Sequence, residues 1–186
     1  MKSIGRDYMK YLAIIFDGFE EEEAMAPFAL LRRAGADLTV ASINTQVTGS
    51  YGFTLSNIAL IQNLNIDDYD VLIIPGGAHW KFLYQSEMVH NIILDFAKKN
   101  KYICGICAAP TLFGRLGLLV NKKYTCFTSM NADFKGIYTD EGVTVDGKLI
   151  TAKSVAYSLE FAYAIIRETM GQAVLDKVWE RIYHEK

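Results

Sequence analysis

Cys107 stands where an apolar, β-like run, Tyr102-Ile103-Cys104-Gly105-Ile106, passes without a spacer into helix-compatible residues 108–116. At such a junction, unpaired backbone N–H groups and the positive end of the helix dipole favour a thiolate. A strand–nucleophile–helix elbow also presents its reactive atom in the crevice at the carboxyl edge of an α/β sheet. Attack by sulfur on an electrophilic carbonyl is the chemistry expected of a thiol held in this way.

Two further turns leave strand ends with polar groups attached: Asp17-Gly18-Phe19-Glu20-Glu21-Glu22-Glu23 and Pro75-Gly76-Gly77. Glycines let main-chain N–H groups approach a reacting oxygen, and the N–H after the nucleophile is a second donor. A nearby carboxyl group can hold the thiol or exchange a proton with a substrate. His79, two residues past Gly77, is a weaker catalytic candidate, because a lone loop histidine is more often exposed or structurally bonded. Cys104 matches a Cys-x-x-Cys with Cys107 but falls inside the strand, so it reads as a buried structural thiol. Cys126 reads as a core residue, with a smaller claim to resolving an oxidised Cys107. Three scattered cysteines without ligand histidines give no metal spacing, and no cofactor is expected.

These turns need strands behind them. Tyr11-Leu12-Ala13-Ile14-Ile15-Phe16 and Val71-Leu72-Ile73-Ile74 are continuous apolar runs, as in parallel strands buried on both faces. Residues 20–33 read as a helix with an acidic first turn and basic last turn, and Pro27 predicts a kink or a later start. Glu20, Glu21 and Glu22 read as surface charge. Residues 37–43 resume a strand, and residues 47–61 suggest short β segments joined by Gly49 and Gly52. Helices are expected over residues 88–99, 158–170 and 173–183, and a hairpin turning on Asp146-Gly147 over residues 143–150. Alternating strands and helices imply a mostly parallel sheet covered on both faces, with Phe16, Ile74 and Ile106 feeding one crevice.

The chain has 186 residues, 51% of them hydrophobic and 22% charged, which suits one domain (residues 11–186) behind a loose leader (residues 1–10). A net charge of -2 gives no basic field for nucleic acid or an anionic membrane. No apolar run reaches the roughly 20 residues of a membrane span. The first ten residues lack a signal-peptide core, and three cysteines do not suggest secretion, so a cytoplasmic location is expected.

The ordered set Gly18 through Glu23, Arg32-Arg33-Ala34-Gly35, Pro75-Gly76-Gly77, Ile106-Cys107-Ala108-Ala109-Pro110-Thr111, Asp146-Gly147 and Ser158-Leu159-Glu160-Phe161-Ala162 resembles the ThiJ/PfpI superfamily over residues 11–171. The resemblance implies an α/β, flavodoxin-like three-layer sandwich, usually a homodimer, with Cys107 as nucleophile. It implies that Glu23 is the buried acid beside the thiol and that Gly77 and Ala108 supply oxyanion-hole N–H groups. Many members carry a histidine near the segment Tyr124-Thr125-Cys126-Phe127, and here there is none. His-x-Glu is also absent, which argues against a class I glutaminase triad. The resemblance thus implies a cysteine-dependent enzyme acting on small carbonyl or amide substrates, as a glyoxalase or deglycase or as a protease/amidase-like hydrolase. A missing histidine weakens amide cleavage most, since the leaving amine needs an acid. An oxidative-stress sensor working through Cys107, and a non-catalytic binding module, are the alternatives.

Overall fold

The computed structural model describes residues 8–183. Most of the expected leader lies outside the described residues, and Lys10 already belongs to the first strand. In chain order the elements are β1 (Lys10–Ile14), α1 (Glu21–Arg33), β2 (Asp37–Ser42), β3 (Gln46–Thr48), β4 (Thr54–Ser56), β5 (Ala59–Leu60) and β6 (Val71–Ile74). Next come α2 (Trp80–Leu83), α3 (Glu87–Lys98), β7 (Tyr102–Ile106), α4 (Ala109–Arg115), β8 (Lys123–Tyr124) and β9 (Ile137–Tyr138). The chain closes with β10 (Val143–Asp146), β11 (Leu149–Ala152), α5 (Ser158–Met170) and α6 (Gln172–Tyr183).

Among the described residues, seven strands form one sheet in the order β10-β11-β7-β6-β1-β2-β5. All its pairs are parallel except β10 with β11, the Asp146-Gly147 hairpin. Alternation along β1 and just beyond it divides two cores. Tyr11, Ala13 and Ile15 pack under α1, α5 and α6, whereas Leu12, Ile14 and Phe16 pack under α3 and α4. This is a flavodoxin-like arrangement, a mostly parallel sheet between helical layers. Central strands buried on both faces need apolar residues at every position, which is why β1 and β6 read as unbroken runs.

Neighbouring strands β1, β6 and β7 end at Ile14, Ile74 and Ile106, so the three expected turns do meet at one carboxyl edge. The β3–β4 hairpin stands apart from the main sheet and folds over the β1–α1 connection. There the Gly18 N–H donates to Thr48 O at 2.8 Å and the Ser50 N–H to Phe19 O at 2.8 Å.

The later start expected for α1 is not what the chain adopts. The helix begins at Glu21, directly on the acidic run, and continues through Pro27 to Arg33. Glu20 is its N-cap, with its side-chain oxygen accepting from the Glu23 N–H at 2.8 Å. Acidic side chains and an acceptor at a helix N-terminus match its unpaired N–H groups, whereas Pro27 removes only the one bond that its own N–H would have made.

Candidate functional site

Cys107 is the residue between β7 and α4, and its φ of +61° places a non-glycine residue in the left-handed region. Such a conformation costs roughly 1–3 kcal/mol and persists only where surroundings impose it. Here they do so through the main chain: the Cys107 N–H donates to Ala152 O at 2.9 Å, and Cys107 O accepts from the Phe127 N–H at 2.9 Å. The side chain is thereby turned out of the sheet and is half-buried, whereas Cys104, three residues earlier in β7, is fully buried.

Glu23 meets the thiol from α1. It is 1% exposed, its Oε2 accepts from the Gly76 N–H at 2.9 Å, and its carboxyl lies beside Cys107 across that glycine. Gly76 sits between the two: a Cβ there would lie 2.4 Å from Glu23 Oε2 and 2.6 Å from Cys107 Cβ. The spacing of acid and thiol therefore depends on a residue without a side chain. Burial pushes the Glu23 pKa up to about 7, outweighing the lowering effect of the neighbouring Cys107 thiol and of the Gly76 N–H.

The thiolate expected at the helix start is opposed by its surroundings. Burial pushes the Cys107 thiol well above its usual range, and the neighbouring Glu23 carboxylate pushes it further. The Ala108 N–H acts in the opposite direction but is outweighed, and α4 is only seven residues long. The two groups are one titrating pair, and the thiolate forms most readily while Glu23 keeps its proton.

The turn over residues 76–79 closes the site. Gly77 has φ +102°, and the Gly76 carbonyl beside it accepts from the Glu20 N–H at 2.9 Å. A Cβ on Gly77 would lie 2.3 Å from Glu20 N, so the two loops touch through bare main chain. No main-chain acceptor takes the Gly77 N–H among the described residues.

His79 belongs to the same turn, and its ring is bonded to main chain at both nitrogens. It is 2% exposed; its Nδ1 accepts from the Phe16 N–H at 3.2 Å, which leaves Nε2–H to donate to Pro75 O at 2.9 Å. Burial lowers its pKa to about 4, so the ring is neutral and both nitrogens are occupied by backbone.

Three further placements were not legible as such. Glu21, expected as surface charge, is buried: its Oε1 accepts from the Tyr51 and Phe53 N–H groups at 2.8 and 3.3 Å, pinning the hairpin tip. Glu20 likewise serves as the cap of α1, and only Glu22 of the three is simply exposed. Phe127, in the segment that lacks the histidine, contributes its N–H to the elbow but no ionisable side chain. Cys126 packs in the core on the α3–α4 side, and Cys104, Cys107 and Cys126 are all free thiols. Among the described residues, no group of three or more His, Cys, Asp or Glu side chains is placed to hold a metal ion. No helix there is long and apolar enough to cross a membrane.

Comparison with known proteins places this geometry among relatives. A family model described as DJ-1/PfpI matches residues 9–168. Protein DJ-1 homolog B of Arabidopsis thaliana is 36% identical over 166 residues, covering 87% of this chain but only 38% of that longer protein. Protein dj-1beta of Drosophila melanogaster is 30% identical over 173 residues, 90% of this chain and 92% of that one. The crystal structure of Drosophila DJ-1beta superposes with a TM-score of 0.86 at 29% identity, covering 95% of this chain and 98% of the other. A Thermococcus kodakarensis protein named as a deglycase is 27% identical over 149 residues, 78% of this chain and 90% of that protein.

Proposed function

Because the chain belongs to the DJ-1/PfpI family, we propose that it is a cysteine-dependent enzyme of glyoxalase or deglycase type, acting on α-oxoaldehydes or their adducts. The observation that carries this reading is the buried Glu23 carboxyl, held by the Gly76 N–H beside Cys107 with its pKa raised to about 7. An acid titrating near neutrality can both give and take a proton at the working pH. Cys107 sulfur adds to the aldehyde carbon, and the π electrons move to oxygen. That oxygen is met by the N–H groups of Gly77 and Ala108. Glu23 then carries protons between sulfur, carbon and oxygen. His79 has no free nitrogen and supports the turn instead. Addition to an aldehyde expels no amine, so the absence of a histidine near Phe127 hinders it less than it would hinder amide cleavage.

A panel of methylglyoxal, glyoxal, small amides and peptide amides, run on the wild type and on Cys107→Ser, tests the assignment. Consumption of the oxoaldehydes that disappears in Cys107→Ser is the expected result. Turnover confined to amides would replace it with the hydrolase reading.

The same pair supports one other role, an oxidative-stress response. A protonated Glu23 is placed to donate a hydrogen bond to a sulfinate formed on the half-buried Cys107. Peroxide titration followed by intact mass would show two oxygens added at Cys107, and the absence of oxoaldehyde turnover would favour this role.

The partner proposed is a second copy of the chain. α1, the β3–β4 hairpin and the start of α5 line an apolar cleft that exposes Met25, Phe53 and Leu159, the kind of surface that self-association covers. Light scattering giving only the 20.9 kDa monomer across a wide concentration range would exclude it.

A further inference from the structure

The β3–β4 hairpin supplies no group to the proposed chemistry, yet its tip is bonded to both loops that build the pocket. Ser50 Oγ donates to Gly18 O at 2.8 Å and accepts from the Ala78 N–H at 3.4 Å. Gly18 O also accepts from the His79 N–H at 3.0 Å, so the Ser50 hydroxyl reinforces a contact between the two loops. On its other side the tip is anchored to α1 by Glu21, whose carboxyl group fills the space beside Gly49 so closely that a Cβ there would lie 2.3 Å from it.

A peptide group is planar and trans, so its C=O and N–H point in opposite directions. The peptide joining residues 76 and 77 is oriented by the Glu20 N–H on Gly76 O, which aims the Gly77 N–H away from the start of α1. The next peptide, joining residues 77 and 78, has its N–H held by Ser50. Between these two planes lies Gly77, whose lack of a side chain lets either plane rotate at little steric cost.

We propose that Ser50 is a positioning residue for the carbonyl chemistry: its hydroxyl, spanning Gly18 O and the Ala78 N–H, keeps the Gly77 N–H aimed at the developing oxyanion. This rests on the reading of Gly77 and Ala108 as the oxyanion donors. Ser50 itself is exposed and touches neither Cys107 nor Glu23. Its effect passes through the turn.

Two reactions of the same thiol separate this role from general support of the fold. With iodoacetamide, a C–S bond forms as the C–I bond breaks, iodide leaves and the thiol proton passes to solvent; no oxyanion develops. With methylglyoxal, a C–S bond forms as the carbonyl π pair moves to oxygen, which ends by taking up a proton. Ser50→Ala is expected to slow the methylglyoxal reaction about fivefold, the loss one neutral hydrogen bond gives. The rate and pH profile of iodoacetamide alkylation should stay as in the wild type. Ser50→Thr, which keeps the hydroxyl, should restore the aldehyde rate. Amide hydrogen exchange at Gly77 and Ala78, read by NMR, should quicken in Ser50→Ala.

An unchanged methylglyoxal rate in Ser50→Ala, or equal slowing of both thiol reactions, overturns the proposal. If the wild-type thiol adds no aldehyde at all, the carbonyl reading itself fails. Exchange then still decides whether Ser50 holds the turn, for faster exchange supports that hold and unchanged exchange removes it.

Discussion

The turn over residues 76–79 has two sides, each meeting a buried ionisable side chain, and the two are handled in opposite ways. On one side the Gly76 N–H meets Glu23, whose carboxyl lies beside a thiol and whose pKa is raised to about 7. On the other, His79 bonds Phe16 N and Pro75 O with both ring nitrogens and is held neutral by a pKa lowered to about 4. Burial acts on both, disfavouring charge in each case. What differs is the partner. Glu23 faces a group that can itself lose or gain a proton, whereas both ring nitrogens of His79 meet main chain, so only the first perturbed pKa is coupled to a second titrating group.

The largest expected effect separates the two sides by activity. Glu23→Gln keeps a side chain of the same shape but cannot exchange a proton, so turnover should fall roughly 10²- to 10⁴-fold. His79→Ala should leave the rate per folded molecule within a few-fold of wild type. Assays of both variants at matched folded concentration check this, and equal losses would erase the distinction.

Stability should show the reverse. His79→Ala leaves a buried N–H and C=O unpaired and opens a cavity, costing about 3 kcal/mol, roughly a hundredfold in the unfolding constant. Urea denaturation reads this directly. Glu23→Gln should cost far less, and a larger loss there than in His79→Ala would mean that the acid, not the imidazole, holds the turn.

The smallest effect is the most diagnostic. Glu23 has its pKa raised from 4.5 to about 7, so the folded state binds the extra proton and stability falls as pH rises through that window. His79 has its pKa lowered from 6.5 to about 4, so the unfolded state binds the extra proton and stability falls as pH drops through that window. Between about 4.5 and 6.5 the two slopes, each at most about 1.4 kcal/mol per pH unit, oppose one another. The wild type should therefore be nearly flat there. His79→Ala should expose the falling slope, and Glu23→Gln the rising one. Urea midpoints measured at half-unit pH steps would test it; two variants with slopes of the same sign would contradict it.

The elbow and the strand edges were legible because they depend on local pattern: an apolar run, a break, then a helix. The same holds for the Asp146-Gly147 turn. His79 and Glu21 were not legible, since the decisive partners lie far along the chain, Phe16 being 63 residues from His79 and Tyr51 being 30 from Glu21. Four consecutive glutamates look alike in a sequence. Three receive separate partners (the Glu23 N–H, the Tyr51 and Phe53 N–H groups, and the Gly76 N–H) only because the first turn of a helix points successive side chains in different directions. The surroundings of the thiol were hidden for a related reason: the helix end is visible locally, whereas the burial and the facing carboxylate that oppose a thiolate arise from packing. Pro27 marks the other limit, since a local rule against proline yielded to a well-capped helix start.

The bonds that fix Cys107 are made to Ala152 O and by the Phe127 N–H. Any residue at position 152 offers that carbonyl, and any but proline at position 127 offers that N–H. The frame that turns the thiol outward can thus be inherited unchanged while the side chains around it drift.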